Sequence, residues 1–143
     1  MKNTKIEDKS KTDCIFCRIV KGEVPSYTIY EDKDTKAFLD ISQVSRGHTL
    51  VIPKKHYENI FETPKNVLKK VIEVSQKVSL LLKQNLGAEG INLVNSNNRT
   101  AQQDVFHYHM HVIPRYLGSN FKIEFKNPSG NKDFDKIKKL LTK

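Results

Sequence analysis

The sequence has little cysteine, little arginine and no long apolar run. Its 143 residues contain two cysteines, too few for the disulfide framework of a small secreted scaffold. No apolar run reaches the roughly 18 residues that a membrane-spanning helix needs, and the polar first twelve residues lack the apolar core of a secretory signal. We therefore expect one globular domain in the cytoplasm, with no membrane as a partner.

The scarcity of arginine bears on the meaning of the positive charge. Only four of the 25 basic residues are arginines, although the formal net charge is +9. Surfaces that read bases or clamp phosphates favour the planar fork of arginine. Much of the excess lies at the two ends, with +2 over residues 1–12 and +4 over residues 122–143. We interpret the lysines as solvated surface and expect no nucleic-acid partner.

Composition divides the chain into three parts. Residues 1–12 are polar and aperiodic and are predicted to be a disordered basic tail. Residues 13–121 alternate apolar segments with turns and are predicted to form the folded domain. Residues 122–143 are predicted to be an extension with a short amphipathic helix. The apolar face of that helix is formed by Phe134, Ile137, Leu140 and Leu141.

Apolar periodicity predicts an α+β domain with a largely antiparallel sheet. Valines at steps of three and four predict one long amphipathic helix over 64–86. We expect Thr63 to be its N-cap, Pro64 its first residue and Gly87 its end. A short helical turn is expected to run from Cys14 to a stop at Gly22. Strands are predicted over 27–30, 37–41, 47–53, 91–94 and 105–114.

Three histidines alternate along the last predicted strand. His107, His109 and His111 are two residues apart, so on a strand their rings share one face at a spacing of about 7 Å. The chain's two other histidines, His48 and His56, lie at the start and just past the end of the predicted third strand. Imidazoles concentrated in this way indicate a catalytic or metal site.

The two cysteines form a C-x-x-C pair, Cys14 and Cys17. Without a disulfide framework, such a pair is compatible with metal binding, with redox chemistry or with two inert thiols. The spacing alone does not choose among these three roles.

These motifs resemble those of the histidine triad family. The family pattern is His-x-His-x-His followed by two apolar residues, here His107 to Ile113. The likeness is to the branch of small bacterial, Hint-like nucleotide-binding hydrolases, and it extends from Asp13 through Tyr116. Further matching blocks are Cys14-Ile15-Phe16-Cys17, Ala37-Phe38-Leu39-Asp40-Ile41, the segment 47–56 and Val112-Ile113-Pro114-Arg115.

The resemblance implies a fold and a chemistry. Members of the family are homodimers that bind purine nucleoside phosphates. Each subunit has a five-stranded antiparallel sheet, one long helix and short N- and C-terminal helices. By resemblance, His109 is the nucleophile that attacks the α-phosphorus and forms a nucleotidyl-histidine, which water then hydrolyses. His111 would contact the phosphate, and His48 would orient the neighbouring imidazoles.

The resemblance also implies substrate contacts. The carboxylate of Asp40 matches the position that binds the ribose hydroxyls. Asn97 is predicted to contact the phosphate, with Asn95 and Asn98 as alternatives. The apolar walls around the base are matched by Ile15, Phe16, Ile19, Phe38 and Ile41.

The loop before the triad departs from the family pattern. Relatives carry Gly-Gln-Ser or Gly-Gln-Thr where this chain has Gln102, Gln103 and Asp104. Gln103 keeps the family's glutamine, whereas Asp104 replaces a hydroxyl residue near the bound phosphate. An ionised Asp104 would repel the negatively charged phosphate beside it. We therefore expect Asp104 either to turn toward Arg99 or Arg115 or to take up a proton.

A structural zinc ion is predicted at Cys14, Cys17, His56 and His107. A closed Cys₂His₂ set is typical of structural rather than catalytic zinc. The galactose-1-phosphate uridylyltransferase branch, which this chain resembles distantly, holds zinc at comparable positions. The alternative is two buried thiols, with His107 hydrogen-bonded within the triad. Some close relatives lack the cysteines, so the chemistry itself requires no metal.

The expected enzyme is a hydrolase or transferase that acts at the α-phosphate. Its substrates would be purine nucleoside phosphoramidates, such as adenosine phosphoramidates, or related nucleoside phosphates. Two alternatives stay open: a dinucleoside polyphosphate hydrolase, and a nucleotide-binding regulatory module of low activity. The replaced glycine and hydroxyl residue in the loop before the triad bear on the choice between enzyme and module.

Overall fold

The structure, a computed structural model, describes residues 13–126, 128–130 and 132–142. The disordered tail predicted over 1–12 lies outside these residues. The elements in chain order are α1 (Ile15–Val20), β1 (Thr28–Glu31), β2 (Thr35–Leu39), β3 (Thr49–Pro53), α2 (Lys65–Leu86), β4 (Gly90–Val94), a 3₁₀ turn (Arg99–Ala101), β5 (Met110–Arg115) and α3 (Phe134–Leu141).

Five antiparallel strands form one sheet in the order β1-β2-β3-β5-β4. This sheet, the long helix α2 and the short helices α1 and α3 confirm the predicted fold class. Side-chain alternation divides the core between the two faces of the sheet. Val51 packs with Val71 and Val78 of α2, whereas its neighbours Leu50 and Ile52 pack with residues of α1.

The short helix α1 covers the second face of the sheet. Its N-cap is Cys14, whose sulfur accepts the amide of Cys17 at 3.4 Å. Phe16 and Ile19 are buried, and Phe16 packs edge-on against Phe38 with ring centroids 5.5 Å apart. A six-residue helix has little stability by itself, so this packing holds α1 in place. The two cysteines therefore lie on either side of a buried phenylalanine.

The start of α2 differs by one residue from the prediction. The helix begins at Lys65, and Pro64 rather than Thr63 is its N-cap. The Thr63 hydroxyl donates to the carbonyl oxygen of Asn59 at 2.7 Å, which takes it away from the helix terminus. At the other end, Gly87 adopts the left-handed conformation with φ of 70°, as predicted for a terminating glycine.

The last strand is shorter than predicted. β5 begins at Met110, not at Val105, because its ladder with β3 starts at the pair Val51 and Met110. Before Met110 the backbone is hydrogen-bonded outside the sheet, since the amide of Tyr108 donates to the carbonyl oxygen of Tyr57 at 2.6 Å. The segment that carries two of the three triad histidines is therefore a loop.

Side-chain alternation nevertheless continues through that loop. Tyr108 is buried among the residues that face α2, whereas the rings of His107 and His109 lie edge-on to Phe16, with centroids 5.9 and 5.3 Å away. The ring centroids of His109 and His111 are 4.9 Å apart, closer than the spacing of about 7 Å expected along a strand. The triad shares one face although only His111 belongs to the ladder.

The helix α3 confirms the predicted C-terminal helix. Its large apolar residues are exposed, with Phe134 at 72% and Leu141 at 80%. The boundary between the domain and this extension, placed at residue 121, stays a prediction. Within the described ranges, no helix combines the length and the apolar character needed to cross a membrane.

Candidate active site

The predicted nucleophile His109 is held in a defined tautomer. Its Nδ1 atom lies 2.7 Å from the carbonyl oxygen of His107. A carbonyl oxygen only accepts hydrogen bonds, so Nδ1 carries the proton and the lone pair is on Nε2. The residue is 2% exposed and packs against Phe16. The fold thus presents a buried imidazole whose basic nitrogen is Nε2.

A second pair of imidazoles lies beside it. His48 Nε2 and His111 Nδ1 are 2.9 Å apart, so one of the two rings donates to the other. The nearer carboxylate oxygen of Asp40 lies 3.6 Å from His48 Nε2 and 4.0 Å from His111 Nδ1. The amide of Ser42 donates to the other oxygen at 2.8 Å. His111 is therefore held through Nδ1, and Nε2 is its ring nitrogen for a substrate atom.

Burial lowers the pKa of both imidazoles in this pair. Desolvation brings the pKa of His111 from 6.5 to about 4, and the neighbouring His109 and His48 act in the same direction. Desolvation also lowers the pKa of His48, against the opposing charge of Asp40. His111 is consequently uncharged at neutral pH. It can meet a phosphate oxygen by hydrogen bonding, without contributing a full positive charge.

A largely apolar cavity of about 390 Å³ adjoins these side chains. A volume of this order is typical of small-molecule sites. All five predicted base-wall residues line it, together with Asp40, Asp104, His109 and His111. Sequence reasoning did not assign the other wall residues to the cavity, although some of them, such as Leu50, lie in blocks that match the family. The base-wall residues are Ile15, Phe16, Ile19, Phe38 and Ile41, and the missed ones include Leu50, Val105 and the segment 24–27.

The cavity is acidic although the protein is basic. Its charged lining residues are Asp40 and Asp104, and no lysine or arginine of the described chain lines it. The net charge of the whole sequence is +9. Lys54 and Lys55 line a different cavity, where Lys54 pairs with Glu31 at 2.9 Å. Hydrogen-bonding groups for an anion in this cavity are therefore uncharged hydroxyls and imidazoles, including His111, rather than lysine or arginine.

Asp104 pairs with neither of its predicted arginine partners. Its carboxylate accepts the amide of Val105 at 2.9 Å. Arg99 lies over the ring of Phe106, 5.2 Å from the centroid, and Arg115 donates to a β4 side chain at 2.8 Å. The prediction that Asp104 turns toward one of these arginines is wrong, because both guanidinium groups are engaged elsewhere.

Two predicted substrate-binding residues do not line the cavity. Gln103 is buried, and its amide nitrogen donates to the carbonyl oxygens of Glu58 and Val105 at 2.6 and 3.0 Å. Asn97 accepts the amide of Ile60 at 2.7 Å. Both side chains form hydrogen bonds within the protein, and their contacts with substrate stay predictions.

The asparagine nearest to the triad is Asn95, which the sequence left as an alternative. Its side-chain nitrogen donates to the carbonyl oxygen of His109 at 2.9 Å. Asn97 in turn donates to the Asn95 side chain at 2.6 Å. Asn95 thus fixes the main chain of the predicted nucleophile, a contact that no local sequence pattern marks.

The position where relatives carry glycine keeps a glycine-like backbone. Gln102 has φ of 65° and ψ of 28°, which is the left-handed region. That region costs a residue with a side chain roughly 1–2 kcal/mol relative to glycine. The loop therefore holds a residue with a side chain in a backbone conformation that favours glycine.

The four predicted zinc ligands come together. The ligand atoms of Cys14, Cys17, His56 and His107 all lie within 4.8 Å of one another. The cysteine sulfurs lie 3.4 and 3.6 Å from His107 Nδ1, and that of Cys17 lies 3.3 Å from His56 Nδ1. A tetrahedral zinc ion with ordinary bond lengths separates sulfur and nitrogen ligands by about 3.6 Å. The donor set fits zinc.

The tautomer of His107 supports the same conclusion. Its Nε2 lies 2.8 Å from the carbonyl oxygen of Pro53, so Nε2 carries the proton and the Nδ1 lone pair faces the two sulfurs. Burial lowers the pKa of His107 to about 4. A neutral ring held by a carbonyl through its second nitrogen is the form that binds zinc.

Comparison with known proteins identifies the domain. A family model described as the HIT domain matches residues 21–118. A HIT-like protein of Methanocaldococcus jannaschii is 46% identical over 128 residues, which cover 90% of this chain and 98% of that protein. An adenosine 5'-monophosphoramidase of Candida albicans is 36% identical, with 94% and 90% of the two chains covered. An adenylylsulfatase of Arabidopsis thaliana is 38% identical, with 78% and 57% covered.

Solved structures give the same result. A HIT family protein from Bacillus subtilis superposes with a TM-score of 0.81 and 40% identity, and the match covers 91% of this chain and 93% of that one. A zinc-bound histidine triad protein from Mycobacterium smegmatis has a TM-score of 0.76 and 37% identity, with 81% and 84% covered. Since the domain match spans more than half of the sequence and the sheet and triad agree with it, this chain belongs to the HIT family.

Proposed function

We propose that the protein hydrolyses purine nucleoside phosphoramidates, with adenosine phosphoramidates as the substrate class, through a nucleotidyl intermediate on His109. The observation that carries this proposal is the His109 tautomer, in which Nδ1 donates to the His107 carbonyl oxygen and the lone pair is on Nε2. Membership of the HIT family supports nucleotide hydrolysis in general. The C. albicans relative named as an adenosine 5'-monophosphoramidase supports the particular class.

The cavity suits a nucleotide in one orientation. The purine packs between apolar walls that include Phe16, Ile19 and Phe38, where burial of the flat ring is favourable. The ribose hydroxyls donate to the carboxylate of Asp40, which lies on the same cavity. This orientation brings the α-phosphorus to His109, with His111 beside it.

Hydrolysis then proceeds in two displacements. The Nε2 lone pair of His109 forms a bond to the α-phosphorus, and the bond from phosphorus to the leaving nitrogen breaks. The leaving nitrogen keeps that electron pair and takes up a proton to depart as an amine. Water next attacks phosphorus and loses one proton, the bond to Nε2 breaks with its electron pair returning to the imidazole, and the nucleoside monophosphate is released. The proton that water loses balances the one taken up by the amine. Covalent capture replaces one difficult displacement by two easier ones.

The charge of the cavity favours phosphoramidates over dinucleoside polyphosphates. The leaving group of a polyphosphate carries several negative charges. Among the described residues, the cavity provides no lysine or arginine to neutralise them and instead provides the carboxylates of Asp40 and Asp104. An amine leaving group adds no negative charge, so it escapes this repulsion.

The proposal includes one structural zinc ion held by Cys14, Cys17, His56 and His107. When bound, zinc supplies no chemistry to the reaction, because four protein ligands close its coordination sphere. Its role is to tie α1 to the segment that carries the triad. The zinc-bound HIT structure from M. smegmatis supports this part of the proposal.

The proposal also includes a homodimer formed through β4 and α2. β4 is an edge strand of the sheet, and exposed edges are commonly covered by pairing. Next to it lies a depression that includes Ile72 and Leu93, which are 47% and 43% exposed. Sedimentation velocity is expected to show a dimer, and Leu93→Lys a monomer. Leu117→Lys, at an 85% exposed position, is the matched control, and a wild-type monomer at micromolar concentration contradicts this part.

The enzymatic proposal is tested by incubating the purified protein with adenosine phosphoramidate and with diadenosine tetraphosphate in parallel. We expect AMP to be released from the phosphoramidate at a higher kcat/KM. Faster cleavage of the polyphosphate supports the alternative hydrolase. Tight binding of AMP without turnover of either compound supports a regulatory module. Either of these two results contradicts the proposal.

A further inference from the structure

Asp104 is a carboxylate without a cationic partner in the described part of the chain. None of the ion pairs among those residues includes it, and its recorded hydrogen bond is the one from the amide of Val105. Its side chain is exposed and lines the same cavity as His109 and His111. A solvated carboxylate at this position destabilises the fold little and is available to a cationic group of a ligand in the cavity.

The position of Asp104 relative to the phosphate follows from the lining of the cavity. Asp40 and Asp104 line the same cavity as His109 and His111, so both carboxylates border the proposed phosphate position. Asp40 directly follows β2, two residues after the base-wall residue Phe38, and this places it on the nucleoside side. Asp104 belongs to the loop before the triad, a different segment from that of Asp40. We therefore assign it to the opposite side of the phosphate, where the leaving group lies.

We infer that Asp104 determines leaving-group specificity and selects phosphoramidates whose leaving amine carries a further positive charge. This inference rests on the proposed function. The matching class is a diamine bonded to phosphorus through one nitrogen, with its second nitrogen present as an ammonium ion. A carboxylate and an ammonium ion form a charge-assisted hydrogen bond, which a neutral alkyl end cannot form.

The remote ammonium takes no part in bond changes. Attack by His109 Nε2 breaks the bond from phosphorus to the linked nitrogen, which keeps the electron pair and takes up a proton. The second nitrogen keeps its proton throughout, so its pairing with Asp104 holds in the substrate and in the transition state. The expected effect is therefore on kcat/KM, and it falls with ionic strength because the pair is exposed.

The test uses two adenosine phosphoramidates of equal chain length, one with an aminobutyl and one with a pentyl group on nitrogen. Wild type, Asp104→Asn and Asp104→Ser are compared by kcat/KM at low and high salt. Glu89→Gln is the matched control, because it removes the same charge from an exposed site that does not line the cavity.

We expect Asp104→Asn to lower kcat/KM for the aminobutyl compound roughly three- to fivefold, as the loss of an exposed ion pair of about 1 kcal/mol predicts. For the pentyl compound it should raise kcat/KM, because the substitution removes a negative charge from the cavity that holds the phosphate. High salt should reduce the wild-type ratio of kcat/KM for the aminobutyl compound to that for the pentyl compound. The same ratio should be unchanged by salt in Asp104→Asn. An unaltered ratio in both Asp104 variants, with the wild type still active, overturns the specificity role and leaves the proposed function standing. Absence of hydrolysis by the wild type overturns both.

Discussion

The Nδ1 atom of His109 lies 2.7 Å from the carbonyl oxygen of His107, two residues earlier in the chain. The ring of His107 in turn donates from Nε2 to Pro53 and points Nδ1 at the thiols of Cys14 and Cys17. One residue thus orients the proposed nucleophile with its main chain and contributes a proposed zinc ligand with its side chain. This relationship couples the orientation of His109 to the proposed zinc site.

Replacement of His109 should abolish the reaction while leaving binding intact. His109→Ala is expected to lower kcat for adenosine phosphoramidate by roughly three orders of magnitude or more, because it removes a covalent nucleophile. Isothermal titration with AMP should show an affinity close to that of wild type, since the base walls and Asp40 remain. Turnover near the wild-type rate would refute the assignment.

Metal analysis of protein purified without chelator should find about one zinc ion per chain. Cys14→Ser should bind little zinc and lose thermal stability, because the metal ties α1 to the triad segment. His48→Asn is the matched control, as it alters the other imidazole cluster and should retain zinc. A zinc content near zero in wild type, with unchanged melting of Cys14→Ser, would show two structural thiols instead.

Replacing the strained residue Gln102 by glycine should stabilise the protein. Gln102→Gly is expected to raise the free energy of unfolding by about 0.5–1 kcal/mol, since glycine adopts φ near 65° without steric cost but loses more entropy on folding. Gln102→Ala keeps the strain and should match wild type. Urea denaturation measures both variants, and a glycine variant less stable than the alanine variant would contradict the expectation.

The low pKa of His111 makes stability depend on pH. Because the folded-state pKa is about 4 and the ordinary value is 6.5, the unfolded chain binds a proton between these values that the folded chain does not. The free energy of unfolding should therefore fall as the pH drops from 6.5 to 4, with a contribution from this residue of about 1.4 kcal/mol per pH unit.

His111→Asn isolates that contribution. Its unfolding free energy, measured in urea at several pH values, should decline less steeply than that of wild type over the same window. The remaining slope belongs to the other buried imidazoles, including His48. Identical slopes in the two proteins would mean that His111 is protonated alike in the folded and unfolded states.

Much of the fold was predictable because it depends on local periodicity. The valines of α2 repeat at helical spacing, and Gly87 ends the helix in the conformation for which glycine is suited. The alternation of His107, His109 and His111 placed the triad on one face, and it holds even where the ladder does not extend. The alternation is seen in the contacts, since Tyr108 packs on the α2 side whereas the rings of His107 and His109 lie edge-on to Phe16.

The parts that were not predictable depend on contacts between distant residues. The β5 start is set by where β3 stops pairing, and by the bond from Tyr108 to Tyr57, 51 positions away in the sequence numbering. The hydrogen bond from Gln103 to the carbonyl oxygen of Glu58, which lies in another loop, was likewise not predictable from the local sequence. The surroundings of Asp104 were mispredicted because Arg99 lies over the ring of Phe106 within the same loop and Arg115 donates to Asn92, 23 positions away.

The central claim is that a nucleotide becomes bonded to His109. Rapid mixing of excess enzyme with adenosine phosphoramidate, followed by quenching in alkaline denaturant and intact-mass spectrometry, measures it most directly. We predict a transient wild-type species heavier by one adenylyl group, located by peptide mapping on His109 and absent from His109→Ala. Single-turnover release of AMP with no such species at any mixing time, or an adduct on another residue, would contradict the account.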